Sequence, residues 1–93
     1  MGKNASAAVY KHADHVSWRR VEDEVVILDL DSSDYFSLND VGALIWERLG
    51  KGETSEQILD SVCGEFDVAP EKALKEMQAL VKQLTGKKLL LAA

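Results

Sequence analysis

Two histidines and one cysteine are the side chains of this sequence best suited to metal binding or catalysis, and their spacing supports neither role. His12 and His15 are three residues apart, which would bring two imidazoles to one metal on a helix, but no third ligand lies nearby. Cys63 has no second cysteine with which to form a disulfide or a zinc site, and no histidine in the same segment to activate its thiol. We therefore expect no metal site and a structural role for Cys63.

The acidic residues also lack the arrangement that catalysis requires. They cluster at 22–24 and 29–34, where polar residues separate apolar runs, so turns with solvated carboxylates are expected there. The sequence contains no glycine-rich phosphate loop, no serine, histidine and aspartate set with supporting context, and no zinc pattern. The protein is therefore predicted not to be an enzyme and to need no cofactor.

Composition limits the protein to one small domain and excludes several classes of partner. The 93 residues are 46% hydrophobic and 29% charged, which is typical of a globular domain with a core. A net charge of -5 opposes binding to nucleic acid and to anionic membranes. No apolar run reaches the roughly 20 residues of a membrane helix, and the first residues lack the apolar stretch of a secretory signal. We expect a cytoplasmic protein.

The first half of the chain alternates in the manner of β-strands. Residues 16–21 alternate before a turn, residues 25–30 are mostly apolar, and residues 35–38 form a third short run after a second turn. Apolar side chains on both faces of the second run indicate the central strand of a three-stranded antiparallel sheet, whose outer strands are edges. Residues 1–14 show no periodicity and are predicted to be a flexible arm, which leaves 15–93 as the domain.

Three helices are predicted after the third strand. The residues that signal their ends are Asn39, Thr54, Gln57, Pro70 and Gly86. They are, in order, an N-cap, the two members of a capping box, a first-turn proline and a terminal glycine. Trp46 lies beside the apolar stripe of the first helix and is expected in the core. The tail at 87–91 is expected to return to the fold as a short extended segment. This order of elements predicts a winged-helix-like α+β domain.

The junction between the third strand and the first helix carries a more specific pattern. Its residues are Tyr35-Phe36-Ser37-Leu38-Asn39-Asp40, followed by Ile45, Gly52, Ile58, Glu65-Phe66, Val81 and Leu84. Over residues 16–91 the sequence resembles the PqqD-like family. The resemblance implies a peptide-binding chaperone that recognises the leader segment of a ribosomally made precursor peptide. Such a protein presents the peptide to a modifying enzyme, often a radical SAM protein, in the biosynthesis of PQQ or of related peptide natural products.

The resemblance further implies that an extended peptide adds a strand to the third strand, in the groove between it and the third helix. Leu74 and Val81 border the apolar arc of that helix, and Lys75, Gln78 and Lys82 come next around it. Because the protein is otherwise acidic, this basic flank is predicted to face a leader peptide that carries Asp or Glu. The predicted peptide-binding residues are therefore Tyr35, Phe36, Ser37, Leu38, Leu74, Lys75, Gln78, Val81 and Lys82.

Two other functions stay open from the sequence alone. A winged-helix domain that binds DNA fits the order of elements, but the predicted second helix contains no Lys or Arg with which to contact phosphate. A structural module for dimerisation is the other alternative, and it predicts no affinity for a leader peptide. The expected partners are a precursor peptide and the enzyme that modifies it, with a homodimer as an open alternative.

Overall fold

The alternating first half of the chain forms strands and the second half forms helices. The structure, a computed structural model, describes residues 9–93. Its elements are β1 (Tyr10–His12), β2 (Val16–Val21), β3 (Glu24–Asp29), β4 (Tyr35–Leu38), α1 (Asp40–Gly50), α2 (Ser55–Glu65), α3 (Pro70–Gly86) and β5 (Leu90–Ala92). They confirm the predicted α+β fold of a three-stranded antiparallel sheet followed by three helices, although the likeness to a winged helix is loose. None of these helices is long and apolar enough to cross a membrane.

The main sheet is a meander of β2, β3 and β4 with β3 in the centre, as the two-sided apolar pattern of that strand predicts. Ile27 of β3 lies opposite Phe36 of β4 in an antiparallel register. Because side chains alternate along a strand, Val25 and Ile27 are buried in the core, whereas Val26 and Leu28 are half-buried on the outer face. Among residues 9–93, no strand pairs with the outer edge of β2 or of β4.

β1 and β5 form a separate two-stranded antiparallel sheet. The Ala13 amide, directly after β1, donates a hydrogen bond to the Leu89 carbonyl at 3.0 Å, and both residues are buried. The tail therefore returns to the fold as a short strand, as predicted. Its partner β1 lies within the segment predicted to be a flexible arm, so residues 9–14 are part of the fold, because pairing with the tail satisfies their backbone groups. The rest of the predicted arm, residues 1–8, lies outside the described residues.

α1 packs against the inner face of the main sheet, and α2 and α3 bury their apolar stripes against α1, against each other and, for α3, against β5. Thr54 and Gln57 form the reciprocal hydrogen bonds of the predicted capping box at the start of α2. Trp46 of α1 is fully buried, as predicted, and Cys63 of α2 is half-buried against the core. The buried core consists of Val25, Ile27, Ala43, Leu44, Ile45, Trp46, Leu49, Ile58, Val62, Ala73, Met77, Leu84, Leu89 and Leu90.

An aromatic cluster connects β1 to α1. The imidazole of His12 stacks on the indole of Trp46, with 3.6 Å between ring centroids and 7° between ring planes, and Trp18 meets His12 edge-on at 5.7 Å. His12 Nε2 donates a hydrogen bond to the Trp46 carbonyl at 2.8 Å. A Cβ atom on Gly50 would lie 2.3 Å from the His12 ring, so only glycine permits this close approach. His12, one of the two candidate metal ligands, is thus a packing residue in this structure.

Stability should depend on pH through His12. Burial lowers its pKa below the ordinary value of 6.5, although the hydrogen bond to the Trp46 carbonyl opposes the shift. The unfolded chain therefore binds the proton more readily, and the free energy of unfolding should fall as pH drops below 6.5. Glu47 and Lys51 line the cavity beside this imidazole.

The measurement is urea unfolding from about pH 7.5 to about pH 5.5, a range in which histidine is the side chain that titrates. We expect His12→Gln to flatten the pH dependence of the wild-type protein and His15→Gln to retain it. An unchanged slope in His12→Gln would contradict the assignment.

Candidate functional site

The outer edge of β4 presents unpaired backbone groups. The Asp29 amide donates to the Asp34 carbonyl at 2.8 Å, which starts the ladder between β3 and β4. In an antiparallel pair the residues point their backbone groups alternately toward and away from the partner strand. By this alternation Phe36 and Leu38 bond to β3, while Tyr35 and Ser37 direct their amide and carbonyl groups away from the sheet. A strand that arrives at this edge would find four backbone groups ready to pair.

An open groove of about 460 Å³ lies along this edge. One side is formed by the end of β4 and the first turns of α1, and the other side by α3. The lining residues are Ser37, Leu38, Asn39, Val41, Gly42, Ile45, Glu76, Ala79, Leu80 and Gln83. Its floor is therefore apolar, and polar or charged side chains stand along its α3 side.

The turn from β4 into α1 fixes the shape of the groove. Asn39, the N-cap of α1, accepts a hydrogen bond from the Gly42 amide at 2.9 Å, as predicted for this position. A Cβ atom on Gly42 would lie 3.2 Å from Cβ of Leu38 and 3.7 Å from Cδ2 of Leu80. Glycine at this position thus lets the first turn of α1 lie close to the end of β4, whereas a Cβ atom would meet Leu80 of α3 only at ordinary contact distance.

Asn39→Ala should destabilise the fold by about 1 kcal/mol, because the Gly42 amide loses its acceptor. Asn39→Asp retains an oxygen in the same place and should cost much less. Urea unfolding of the two variants measures the difference. Equal free energies of unfolding for the Ala and Asp variants would show that the cap contributes nothing.

One flank of α3 faces the groove. Glu76, Leu80 and Gln83 lie on a single stripe of the helix at 100° per residue, and all three line the groove. The stripe continues to Lys87, the C-cap residue of α3, whose ammonium lies 4.9 Å from the centre of the Phe36 ring. Successive side chains along this stripe are thus acidic, apolar and amide within the groove, and basic one turn beyond it.

The four predicted peptide-binding residues of β4 lie around the free edge. Ser37 and Leu38 line the groove. Phe36 points to the inner face and packs against the core beneath the Lys87 ammonium. Tyr35 is 71% exposed on the outer face of the sheet, where it borders a second concavity of about 420 Å³ with Val26, Leu28 and parts of β2.

The five predicted peptide-binding residues of α3 do not line this groove. Val81 packs against the core, Leu74 is 38% exposed, and the side chains of Lys75, Gln78 and Lys82 are exposed. The prediction placed the peptide along this flank because the flank is basic, whereas the structure turns the opposite border of the apolar arc toward β4. Both borders of the arc are polar, so periodicity alone could not decide between them. The residues of α3 that line the groove, none of them among the predicted ones, are Glu76, Ala79, Leu80 and Gln83.

One group of potential metal ligands occurs among the described residues, where His15, Asp29 and Asp31 place ligand atoms within 4.8 Å of one another. The Asp29 carboxylate already accepts hydrogen bonds from the backbone amides of Asp31 and Ser32. Burial opposes ionisation of Asp29, but these hydrogen bonds dominate and lower its pKa. The cluster is therefore accounted for by the turn between β3 and β4.

Known proteins share this fold together with a bound peptide. TbiB1, solved in complex with the TbiA(beta) leader peptide, is 35% identical to the chain with a TM-score of 0.79, over 86% of this chain and 93% of that chain. Lasso peptide synthetase B1, solved in complex with the leader peptide, is 28% identical with a TM-score of 0.80, over 88% and 96% of the two chains. Residues 24–90 match the family described as Coenzyme PQQ synthesis protein D (PqqD). No curated protein sequence gives a significant match.

Proposed function

Because the chain belongs to the PqqD family, we propose that it binds the leader segment of a ribosomally made precursor peptide and presents it to the enzyme that modifies that peptide. The observation that carries this proposal is the free edge of β4 beside an open groove. The two similar proteins of known structure are both in complex with a leader peptide. Sequence identity of 35% over most of both chains makes the same mode of binding the natural expectation for this chain.

The proposed binding mode is the addition of a peptide strand to β4. Backbone pairing with Tyr35 and Ser37 supplies affinity that does not depend on the peptide sequence. Side chains of the added strand alternate between the two faces of the sheet, so every second one enters the groove against Leu38 and Leu80. The others stand on the outer face beside Tyr35. Selectivity for one leader therefore comes from two different surfaces.

The described residues favour this function over the alternatives that the sequence left open. The groove carries apolar and hydrogen-bonding side chains, without the cluster of basic side chains that phosphate binding requires. α2 contains no Lys or Arg, so it is unsuited to the major groove of DNA. In the proposed function the chemistry belongs to a second protein, such as a radical SAM enzyme, and both proteins act in the cytoplasm.

The test is a titration of the purified chain with fluorescently labelled leader segments of precursor peptides encoded beside its gene. We expect saturable binding to the cognate leader and much weaker binding to a scrambled peptide of the same composition, which retains backbone pairing but loses the side-chain contacts. Leu80→Lys places a charge in the groove and should weaken binding at least about tenfold, because a buried apolar contact is lost. Leu74→Lys is the matched control, since Leu74 lies on the other flank of α3 and does not line the groove.

Equal affinities for Leu80→Lys and the wild-type protein would place the peptide elsewhere. Absence of binding to every neighbouring leader would contradict the proposed function itself. Thermal unfolding of both variants checks that a weaker affinity does not arise from loss of the fold.

A further inference from the structure

The stripe of α3 that faces β4 has charges of opposite sign at its two ends. Glu76 lines the groove at the end where Leu38, Asn39 and the first turn of α1 meet. Lys87 lies one turn beyond Gln83 on the same stripe, just past the residues that line the groove, with its ammonium 4.9 Å from the centre of the Phe36 ring. Between them Leu80 and Gln83 carry no charge. A peptide strand along β4 would therefore pass a carboxylate at one end of the groove and an ammonium just beyond the other.

The separation of the two charges suits a short extended segment. Glu76 and Lys87 are eleven positions apart on α3, which corresponds to about 16 Å at 1.5 Å per residue. An extended strand covers that distance in about five residues at 3.3 Å per residue. The two residues differ by only about 20° around the helix axis, so both project toward the same side.

Neither charge is neutralised by a neighbour among residues 9–93. The ion pairs in this part of the chain are His15 with Asp29, Arg20 with Glu47 and Arg48 with Glu53. Lys72 lies one turn before Glu76 but does not line the groove. The Asp40 side chain, exposed in the first turn of α1, adds negative charge near the Glu76 end. Both charges are thus available to a charged partner.

We infer that the peptide bound in this groove carries a basic side chain at the Glu76 end, beside Leu38, and an acidic side chain toward Lys87, at an even spacing of about four or six residues that keeps both side chains on the face that enters the groove. This inference rests on the proposed function and names the chemistry of its ligand. Surface ion pairs add little to affinity, but they penalise the wrong register and the wrong strand direction, in which like charges would meet. For a peptide antiparallel to β4, the basic residue precedes the acidic one.

The test uses a phage-displayed library of random dodecapeptides selected against the wild-type chain and two charge-swapped variants. Glu76→Lys/Lys87→Glu reverses the charges of the groove. Glu71→Lys/Lys82→Glu is the matched control, because it makes the same exchange at the same spacing on the solvent-facing side of α3. We expect wild type and control to select the same order of basic and acidic residues, and the groove variant to select the reverse order. Peptides selected on the wild-type chain should bind Glu76→Lys/Lys87→Glu about tenfold more weakly, and should bind the control variant as tightly as the wild-type chain.

The outcomes separate this inference from the function on which it rests. Binders that are weakened by Leu80→Lys but show no preferred order of charges would overturn the inference and leave the binding site in place. A preferred order of basic and acidic residues that also reverses in the control variant Glu71→Lys/Lys82→Glu would overturn the inference too. Binders insensitive to Leu80→Lys would place the peptide elsewhere and overturn the inference together with the proposed site, whereas absence of any binder would contradict the proposed function as well.

Discussion

Ser37→Pro should abolish most of the affinity for a leader peptide while it leaves the fold intact. The Ser37 amide points away from β3, so proline removes a donor that the sheet does not use. The incoming strand would lose one hydrogen bond, bury an unpaired carbonyl and meet the pyrrolidine ring. Together these effects should cost about 2 to 3 kcal/mol, or roughly 30- to 150-fold in Kd.

The control for this variant is a proline on the other edge of the same sheet. The Leu30 amide donates to the His15 carbonyl, so Arg20 of β2 also directs its amide away from β3. Arg20→Pro, compared with Arg20→Ala to allow for the lost pair with Glu47, should leave peptide affinity unchanged. Kd is measured by fluorescence anisotropy. Equal loss in the two proline variants would mean that the effect is not specific to the edge of β4.

The largest effect on stability is expected for Trp46→Ala. The indole is fully buried, stacks on His12 and meets Trp18 edge-on with 6.3 Å between ring centroids. Removal of a large aromatic side chain from a packed core costs about 3 to 5 kcal/mol, which is a large part of the stability of a small domain. Urea unfolding should show a variant that is marginally folded or unfolded in buffer.

Trp18→Ala is the comparison for this prediction, because Trp18 belongs to the same cluster but is 38% exposed. Its cost should be less than half that of Trp46→Ala, since much of its surface is already in water. Trp46→Phe should cost least, because the indole Nε1 has no hydrogen-bond partner among the described residues. If Trp18→Ala were less stable than Trp46→Ala, the prediction would be wrong, because the partly exposed indole would then contribute more to stability than the buried one.

The local signals of the sequence predicted most of the fold. The two-sided apolar pattern of 25–30 predicted the central strand, and Asn39 and the pair of Thr54 with Gln57 predicted the starts of α1 and α2. These features depend on residues close together in the chain. The missing element was β1, a strand of three residues whose partner β5 lies at the far end of the sequence. Pairing over so long a separation leaves almost no local pattern.

The sequence predicted the strand that borders the groove but not the flank of α3 that lines it. The strand edge follows from the order of elements, which left Tyr35 and Ser37 at an outer strand. The flank of α3 depends on how the helix is rotated against the sheet. That rotation is set by the packing of Ala73, Met77 and Leu84 in the core, which joins distant parts of the chain. Charge alone favoured the basic flank with Lys75 as the peptide-binding side of α3, and the structure turns that flank away from β4.

Hydrogen exchange of the β4 amides tests the central claim most directly. In the free protein the amides of Phe36 and Leu38 should be protected by β3, while those of Tyr35 and Ser37 should exchange quickly. With a saturating leader peptide, we expect the Tyr35 and Ser37 amides to become slow and the Arg20 amide at the edge of β2 to stay fast. Fast exchange at Tyr35 and Ser37 in the saturated complex would contradict the addition of a peptide strand to β4.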